Sequence, residues 1–384
     1  MTYKLTEEQQ VVQAAVRKLA QEKVAPRASE IDRTGEYPYD ILKIVADQGL
    51  LAAGIPKEYG GTGADLLTQI LAVEELAKVC GTCCLIPAVQ ELGLMPILVG
   101  GSEEQKKKYL PDLASGKSIS AFALTEREAG SDAGATRTRA EKQGDYYVIN
   151  GEKCYITNGS IANTITVFAS TLPGSGLKGI SAFIMEADTP GFKVGRLEDK
   201  MGIRGAQVAE LVFENCKVPA ENLLGNEGDG FKIAMKTLDK TRPIIGAQGL
   251  GLAQGAFDVA LQYCKERKQF GKPVYGLQGL QFLFAELATQ IEAARQLLYK
   301  AASLIEEKSD TPGRFPPEVS RYSAMSKMFA TDTAMRVTTE AVQLMGGPGY
   351  MKDYPVERMM RDAKITQIYE GTNQVQKVVI ARTL

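Results

Sequence analysis

The sequence predicts an α+β protein with three consecutive domains. Residues 1–118 carry apolar side chains at helical spacing, which predicts an N-terminal all-α domain. Residues 119–225 consist of short β-rich runs separated by Gly, Asn and Pro, which predicts a middle antiparallel β domain. Residues 226–384 contain four long periodic segments joined by loops, a pattern typical of a four-helix bundle. The order helices, strands, helices lacks the βαβ alternation of a parallel α/β fold.

In the N-terminal domain, Thr6 and the acids Glu7 and Glu8 predict a helix start, because negative charge is favoured at the positive end of a helix dipole. Apolar residues then recur at helical spacing as far as Val24, and we expect Pro26 to end this helix. The same periodicity predicts three further helices, over residues 39–51, 65–79 and 103–113.

Turn-forming residues divide the middle domain into strands. Asp145 and the pair Asn150-Gly151 are typical of hairpin turns, because these residue types tolerate the left-handed backbone that such turns need. The β-rich runs are FALT, TRTRAEK, YYVING, EKCYIT, TITVFAS, ISAFIM and AELVFEN. We therefore expect a sheet built largely from hairpins.

Four long helices are expected in the C-terminal domain, over residues 231–265, 278–308, 317–345 and 373–384. The first carries Gly249, Gly251 and Gly255, which superficially resemble a dinucleotide-binding loop. No strand precedes them and their spacing is not G-x-G-x-x-G. We interpret them as small residues that allow two helices to approach closely.

The composition excludes several kinds of chemistry. The 384 residues include 45 Lys and Arg against 46 Asp and Glu, so no basic excess favours nucleic-acid binding. The chain contains no histidine, which excludes Ser-His and Cys-His nucleophile pairs and histidine-ligated metals. Acid–base chemistry must then fall to carboxylates, Lys, Tyr or Cys.

The cysteines and the apolar runs predict a location. Cys80, Cys83 and Cys84 lie in an apolar stretch without a second ligand cluster, so we expect core packing and no metal site. The N-terminal segment lacks the apolar region of a signal peptide, and no uncharged apolar run approaches the roughly 18 residues of a membrane span. We expect a reduced, cytoplasmic protein with no membrane span.

Three segments offer groups that could bind a ligand. Residues 122–132 run from a strand into a loop rich in hydroxyls, Gly and carboxylates, which suits a heterocycle or a phosphate but also an ordinary turn. Residues 154–159 place Tyr155 and Thr157 on one strand face, where they either cover a flat ring or end a plain strand. Residues 343–350 hold three glycines in four positions, which either cap a helix or let a ligand touch backbone.

Glu370 is the candidate catalytic carboxylate. It stands in a mostly uncharged stretch, residues 362–373, and is followed by Gly. Apolar surroundings raise the pKa of a carboxyl group and make it a better base near neutral pH. From the residues alone, Glu370 is either such a base or a lone surface glutamate.

Six segments together resemble the acyl-CoA dehydrogenases, most closely the short-chain (butyryl-CoA) type. They occur in the order and at the spacing of that family, and the resemblance covers essentially the whole chain. It implies the acyl-CoA dehydrogenase fold, a bound FAD and a homotetramer. The segments are FALTEREAGSD (122–132), KCYITNG (153–159), LDKTRP (238–243), ERKQFGKP (266–273), LMGGPGY (344–350) and RDAKITQIYEGTNQVQ (361–376).

The resemblance also implies which residues contact FAD. Most relatives have Trp or Phe where Tyr155 stands, so this position departs from the family pattern. The implied contacts within one subunit are Phe122, Leu124, Thr125, Ser131, Tyr155, Thr157, Thr372 and Gln374. Those implied to reach the FAD of a neighbouring subunit are Arg267, Gln269, Phe270, Gln278, Gln343, Gly346 and Gly347.

The implied reaction is the α,β-dehydrogenation of an acyl-CoA thioester to the 2-enoyl-CoA. Glu370, in the family's YEGT position, would take the α-proton while the β-hydrogen leaves as hydride to the flavin. The backbone N–H of Glu370 and a hydroxyl of FAD would hold the thioester oxygen. An electron-transferring flavoprotein would accept the electrons. The residues implied to contact the acyl-CoA are Ser131, Asp239, Arg242 and Gly371.

Glu91 departs from the family pattern. Residues 88–96 align with a helix that lines the acyl pocket, and many relatives carry a small residue such as Ser at this position. One interpretation is a carboxylate that points away and is paired elsewhere. The other places an acid near the distal acyl chain, which favours a short, cyclic or polar acyl group.

Other functions remain open at this stage. The same base and flavin would serve a flavin enoyl-CoA reductase running the reaction in reverse. A non-catalytic family member serving as an assembly protein is a further alternative, although Glu370 and the flavin motifs are intact. An acyl-CoA oxidase is less favoured, because it usually has a longer chain with an extra C-terminal domain.

Overall fold

The computed structural model describes residues 4–309, 311 and 313–384, and these form helices, then a sheet, then helices, as predicted. Both Thr6 and Ser102 begin helices with a capping box, in which the cap hydroxyl accepts from a backbone N–H three residues on. The described α-helices before the sheet are α1 (Glu7–Leu19), α2 (Ala28–Thr34), α3 (Tyr39–Asp47), α4 (Leu66–Ala77), α5 (Leu85–Gly100) and α6 (Glu103–Ser115).

The first helical run does not end at Pro26, so that prediction is wrong. After α1 the chain continues through a π-helical turn, Ala20–Val24, and a 3-10 turn, Ala25–Arg27, into α2. Pro26 lies in the first turn of the 3-10 segment, where a backbone N–H is not required. The run ends instead at Gly35, whose φ of +70° supplies a left-handed C-cap.

Helix α5 has no amphipathic pattern because it is buried on almost every side. Residues 85–97 are all buried except Leu92, which is half-buried. A helix without a solvent face gives a continuous apolar run and no 3.6-residue period. Periodicity therefore does not predict α5, and the sequence indicated a helix at 88–96 only through the family resemblance.

One sheet of eight strands forms the middle of the chain. Its strands are β1 (Ser120–Ala123), β2 (Arg139–Gln143), β3 (Tyr146–Thr157), β4 (Thr164–Ser170), β5 (Ile180–Glu186), β6 (Phe192–Leu197), β7 (Val208–Pro219) and β8 (Leu223–Leu224). Their order is β6-β7-β3-β2-β4-β5-β8, with β1 on β4. Most pairs are antiparallel, but β1 runs parallel to β4 and β2 touches β4 in parallel.

The pair Asn150-Gly151 is not a hairpin turn, contrary to the prediction. The runs YYVING and EKCYIT form the single strand β3, and its register against β7 shifts between Ile149 and Gly151. With a φ of +145°, Gly151 accommodates a β-bulge inside the strand. Asp145 does lie in a hairpin turn, between β2 and β3.

The described residues of the C-terminal part form the four predicted helices and two more. Of these two, α11 buries Val356, Met359 and Ala363 at helical spacing, a signal that the sequence does contain. A small hairpin, β9 (Lys268–Gln269) with β10 (Lys272–Pro273), separates the first two long helices. The helices are α7 (Gly230–Glu266), α8 (Gln278–Glu307), α9 (Pro317–Met345), α10 (Gly347–Tyr350), α11 (Val356–Thr366) and α12 (Asn373–Arg382).

Helix α7 is the central element of the fold and packs against α4, α5, α8 and α9. A Cβ atom on Gly251 would overlap the carbonyl oxygen of Glu74, and one on Gly255 would overlap that of Lys78. The close approach predicted for these glycines is thus confirmed. Among the described helices α7 alone is long and apolar enough to cross a membrane, but 72% of its apolar window is buried inside the protein, as in a core helix.

A proline inside α7 creates a link to α9. Pro243 has no backbone N–H, so it cannot donate to the carbonyl of Asp239 one turn earlier. That carbonyl oxygen instead accepts a hydrogen bond of 2.7 Å from the Oγ of Ser323 on α9. The carbonyl that has no donor within α7 therefore joins α7 to α9.

We predict that Gly255→Ala lowers the free energy of unfolding by about 1–3 kcal/mol, because the added methyl group overpacks the contact between α7 and α4. Gly279→Ala, in the first turn of α8 with no atom within 4 Å of the new Cβ, is the matched control and should be neutral or stabilising. Urea unfolding of both variants measures the difference. Equal stabilities would mean that α4 and α7 can separate at no cost.

Candidate active site

Glu370 lies in the loop between α11 and α12, in a left-handed turn. Its φ is +51° and that of Gly371 is +88°. A left-handed backbone is unfavourable for a residue with a Cβ, and such strain is characteristic of functional sites. Contacts from other parts of the chain must therefore stabilise this turn.

Two side chains hold the carbonyl groups of this turn. The Nε2 of Gln376, on α12, donates to the carbonyl oxygens of Glu370 and Gly371 at 3.1 and 2.9 Å. The Nζ of Lys327, on α9, donates to the carbonyl oxygen of Gly371 at 2.9 Å. The backbone N–H of Glu370, by contrast, donates to no residue that the structure describes. It is available to an oxygen atom of a ligand.

The Glu370 carboxylate is anchored by α7. Its Oε2 accepts a hydrogen bond of 2.7 Å from the Oγ1 of Thr241. Burial raises the pKa of Glu370 to about 7, although the Thr241 hydroxyl and the charges of Arg242 and Lys327 act to lower it. The residue is only half-buried, so it remains accessible at the surface of its crevice. Such a carboxyl group can exchange a proton near neutral pH.

Asp239 and Arg242 form a buried ion pair on the same stretch of α7. The Nη1 of Arg242 donates to the Oδ1 of Asp239 at 2.7 Å, and Ser320 Oγ donates to the Oδ2 of Asp239 at 2.6 Å. The Arg242 Nε is buried without a partner among the described residues. This pair sits beside Thr241, and the unpartnered Nε is a donor that a ligand could use.

The predicted flavin-facing residues of the middle domain lie where β1 meets the end of β3. Thr125 accepts at its carbonyl oxygen from the N–H of Cys154, at 3.0 Å, which places the segment after β1 beside Tyr155. Tyr155 has a φ of +58° and is 64% exposed, while Thr157 is half-buried. An exposed aromatic ring near the end of a strand is suited to covering a flat ligand.

A buried ion pair between Lys153 and Glu126 fixes the segment after β1. The Nζ of Lys153 donates to the carbonyl oxygen of Leu124 at 2.9 Å and to the Oε1 of Glu126 at 2.7 Å. The backbone N–H groups of Arg137 and Thr138 complete the bonding of Glu126. These bonds give the loop after β1 a defined conformation. The remaining predicted contacts here are Phe122, whose ring packs on Phe168, and Ser131, in an exposed loop.

A second cluster surrounds a surface cavity of about 450 Å³ between the β9–β10 hairpin and the end of α9. Phe270 at the hairpin tip is 89% exposed. Gln278 is exposed at the start of α8, next to Leu277, which also lines the cavity. The cavity brings together six of the predicted residues, Arg267, Gln269, Phe270, Gln343, Gly346 and Gly347.

The two predicted residues after Glu370 occupy the start of α12. The Oγ1 of Thr372 accepts from the N–H of Val375 and caps this helix, and Gln374 is exposed. They follow the strained turn directly, so a ligand that reaches Glu370 would also meet the first turn of α12.

Glu91 lies in α5 and is only 4% exposed. Its carboxylate forms no hydrogen bond or ion pair with any residue in the described part of the chain. Its Oε1 lies 2.7 Å from the position of a Cβ on Gly54, beside the side chain of Gln69. Burial raises the pKa of Glu91 to about 7, which the charge of Lys240 partly opposes. A carboxylate paired elsewhere is not what the structure shows.

Several residues of the site were not identified from the sequence. Thr241 lies in the segment LDKTRP, but nothing in that segment indicates that its hydroxyl contacts Glu370. The fully buried Lys327 stands in the apolar run AMSKMFA, where a lone charge is a signal for a buried partner. Gln376 and Lys153 gave no comparable signal: Gln376 contacts a turn only five and six residues before it, and Lys153 contacts a segment 27 to 29 residues before it.

Comparison with known proteins places this chain in a family. The models of the N-terminal, middle and C-terminal domains of acyl-CoA dehydrogenases match residues 6–117, 121–216 and 228–384. The short-chain-specific acyl-CoA dehydrogenase of Clostridium acetobutylicum is 51% identical over 382 residues, 99% of each chain.

Two further relatives are similar over nearly the whole chain. The cyclohex-1-ene-1-carbonyl-CoA dehydrogenase of Syntrophus aciditrophicus is 49% identical over 381 residues, 99% of this chain and 90% of its own. The structure of butyryl-CoA dehydrogenase from Megasphaera elsdenii has a TM-score of 0.94 and 46% identity, covering 100% of this chain and 99% of its own. The chain belongs to the acyl-CoA dehydrogenase family of FAD-dependent oxidoreductases.

Proposed function

We propose that this enzyme removes the α- and β-hydrogens of a short-chain or cyclic acyl-CoA and forms the 2-enoyl-CoA. The observation that carries this proposal is the turn at Glu370. It combines a carboxylate whose pKa lies near 7 with a backbone N–H that has no acceptor among the described residues. One group can take a proton while the other stabilises the charge left behind.

The geometry supports a division of roles around the thioester. The α-proton is weakly acidic, and its removal by Glu370 leaves negative charge on the thioester oxygen. A hydrogen bond from the Glu370 N–H to that oxygen stabilises the charge, and Gly371 keeps the approach to the turn free of a side chain. Bound FAD would supply the acceptor for the β-hydrogen and its electron pair.

The residues of the middle domain fit a flavin ring. The exposed Tyr155 and the fixed backbone at Leu124 and Thr125 form a surface that a flat, polar ring can cover. We assign Phe122, Ser131, Thr157, Thr372 and Gln374 to the same cofactor, as the family resemblance implies. Ser131, Asp239 and Arg242 are the further residues proposed for the acyl-CoA.

The cavity at Phe270 supports a homotetramer in which each FAD also touches a neighbouring subunit. An aromatic side chain that is 89% exposed, beside the backbone of two glycines, Gly346 and Gly347, is an incomplete site in a single chain. We propose that a neighbour's FAD completes it. Six free, buried cysteines agree with a reducing, cytoplasmic location, and an electron-transferring flavoprotein is the proposed acceptor.

The acyl specificity is proposed to depend on Glu91. An ionised acid without a partner is costly beside a long alkyl chain, so the pocket should favour a short, ring-shaped or polar acyl group. Relatives named for short-chain and for cyclohexene-carbonyl substrates support this range. A role for Glu91 as a second base, acting farther from the thioester, would also be consistent with its pKa near 7.

We predict that Glu370→Gln abolishes turnover but retains FAD and acyl-CoA binding, because it removes the base and nearly preserves its shape. The loss should be on the order of 10²–10⁴-fold or more. The measurement is flavin bleaching by a panel of acyl-CoAs in the wild type and the variant. Bleaching in the variant at a near-normal rate would place the base elsewhere, with Glu91 the first residue to test.

The same panel tests the direction of the reaction. Wild-type enzyme bleached by an acyl-CoA should regain its colour with an electron-transferring flavoprotein. Consumption of electrons by an enoyl-CoA, without bleaching by any acyl-CoA, would favour the reductase. Colourless protein that cannot be reconstituted with FAD would contradict the proposal.

We predict that Thr241→Val raises the pKa of Glu370, because the Thr241 hydroxyl stabilises the ionised carboxylate. The base works only when ionised, so activity is lost as the pH falls, and the variant should lose it at a pH about one unit higher. The measurement is kcat/KM against pH. Thr237→Val, one turn earlier on α7, replaces a buried hydroxyl that has no partner among the described residues and should leave the profile unchanged.

We predict that Glu91→Ser widens acceptance toward medium-length linear chains and weakens activity on the native substrate, because the buried charge is removed and space is gained. The measurement is kcat/KM for butyryl-, hexanoyl-, octanoyl- and cyclohexanecarbonyl-CoA. Glu91→Gln, which removes the charge at constant size, separates the two effects. Unchanged ratios in both variants would show that Glu91 does not face the acyl group.

A further inference from the structure

Lys327 is a fully buried lysine in the middle of α9. Its Nζ donates to the carbonyl oxygen of Gly371 and to the Oδ1 of Asn373, both at 2.9 Å. Burying an ammonium group without a closely paired carboxylate is costly, because its hydration is lost. Both acceptors are uncharged, so these two bonds do not form an ion pair. They do not by themselves explain why a lysine is buried here.

The bond to Gly371 acts on the turn that carries the proposed chemistry. The bonds to the carbonyls of Glu370 and Gly371 hold the turn in which the Glu370 N–H has no acceptor among the described residues. Gln376 bonds to both carbonyls and is uncharged, so anchoring alone does not require a lysine. What Lys327 adds to Gln376 is a positive charge.

The charge of Lys327 acts on the Glu370 carboxylate. The groups that face Glu370 are Thr241 and Arg242 on α7 and Lys327 on α9, with Tyr369 preceding it in the loop. Burial lowers the pKa of Lys327 to about 7, and the charges of Glu370 and Asp332 act to raise it. Glu370 and Lys327 therefore favour the ionised form of each other inside the protein.

We propose that Lys327 is a positioning residue of this enzyme: its ammonium group fixes the Glu370–Gly371 turn through the Gly371 carbonyl and keeps the Glu370 carboxylate ionised. The inference rests on the proposed function for the role of Glu370 as the base. The placement of the charge and of the hydrogen bond can be tested without a substrate.

Three variants separate the charge from the anchor. Lys327→Met removes both, Lys327→Gln removes the charge and keeps a donor, and Gln376→Leu removes the other anchor and keeps the charge. Thr338→Val, farther along α9, is the matched control, because its buried hydroxyl donates only to carbonyls of its own helix. All are prepared as FAD-loaded enzyme.

The first measurement is an infrared pH titration of the Glu370 carboxyl group without substrate, in which the Glu370→Gln variant identifies the band. The midpoint should rise by about one pH unit in both Lys327 variants, because each removes a positive charge that favours the ionised carboxylate. It should not move in Gln376→Leu or Thr338→Val. An unchanged midpoint in either Lys327 variant that folds would overturn the proposal.

The second measurement is the pH dependence of kcat/KM. As the pH decreases, kcat/KM falls. In the Lys327 variants this fall should occur at a higher pH, and the shift should equal that of the infrared midpoint. At the optimum pH, kcat should fall at least tenfold in Lys327→Met, with KM little changed, and less in Lys327→Gln. Loss of FAD or of thermal stability without a shift in the pH dependence would mean that Lys327 is only structural. A moved infrared midpoint in an enzyme that no acyl-CoA bleaches would refute the proposed function and leave the placement of the charge intact.

Discussion

The desolvation of one carboxylate governs the architecture of this site. Glu370 must lie away from water to be basic near neutral pH, yet burial alone would leave it protonated. The protein resolves this with groups from two long helices, a hydroxyl from α7 and positive charges from α7 and α9. None of these groups is near Glu370 in sequence, so the proposed base depends on the correct packing of the whole C-terminal part.

The backbone of the same turn offers the second group of the proposed chemistry, the N–H of Glu370. A left-handed backbone is strained at a residue with a Cβ such as Glu370. Hydrogen bonds from α9 and α12 to the carbonyl oxygens of Glu370 and Gly371 stabilise this conformation. The result is one residue that carries both a carboxylate and an N–H without an acceptor in the described part of the chain. The middle domain shows the same principle, since a buried lysine fixes the loop after β1 through its backbone.

Much of the fold follows from patterns that are local in sequence. The helices of the C-terminal part have long amphipathic periods, and most strands are short β-rich runs between turn residues. Prediction failed where burial or context changes a local signal. Helix α5 is buried all round and has no period, Pro26 is tolerated at a 3-10 start, and Asn150-Gly151 bends a strand without reversing it.

The site was predictable only in part, for a related reason. Glu370 stands out as an acid in an uncharged stretch, and the flavin motifs are recognisable as segments. The cavity at Phe270 shows that distant segments meet, but Thr241, which bonds the Glu370 carboxylate, and Lys327, which bonds Gly371, are both more than 40 residues away in sequence. A lysine in an apolar run indicates a buried partner without saying which one.

The proline in α7 influences how α9 is positioned along α7, and so where Lys327 lies relative to the Glu370–Gly371 turn. Because Pro243 leaves the Asp239 carbonyl without a helical donor, Ser323 binds there, four residues before Lys327 on α9. A slip of α9 by one turn, about 5.4 Å, would break this bond and carry Lys327 away from Gly371. One missing N–H thus favours one registration of α9 against α7, and the position of the proposed catalytic turn depends on it.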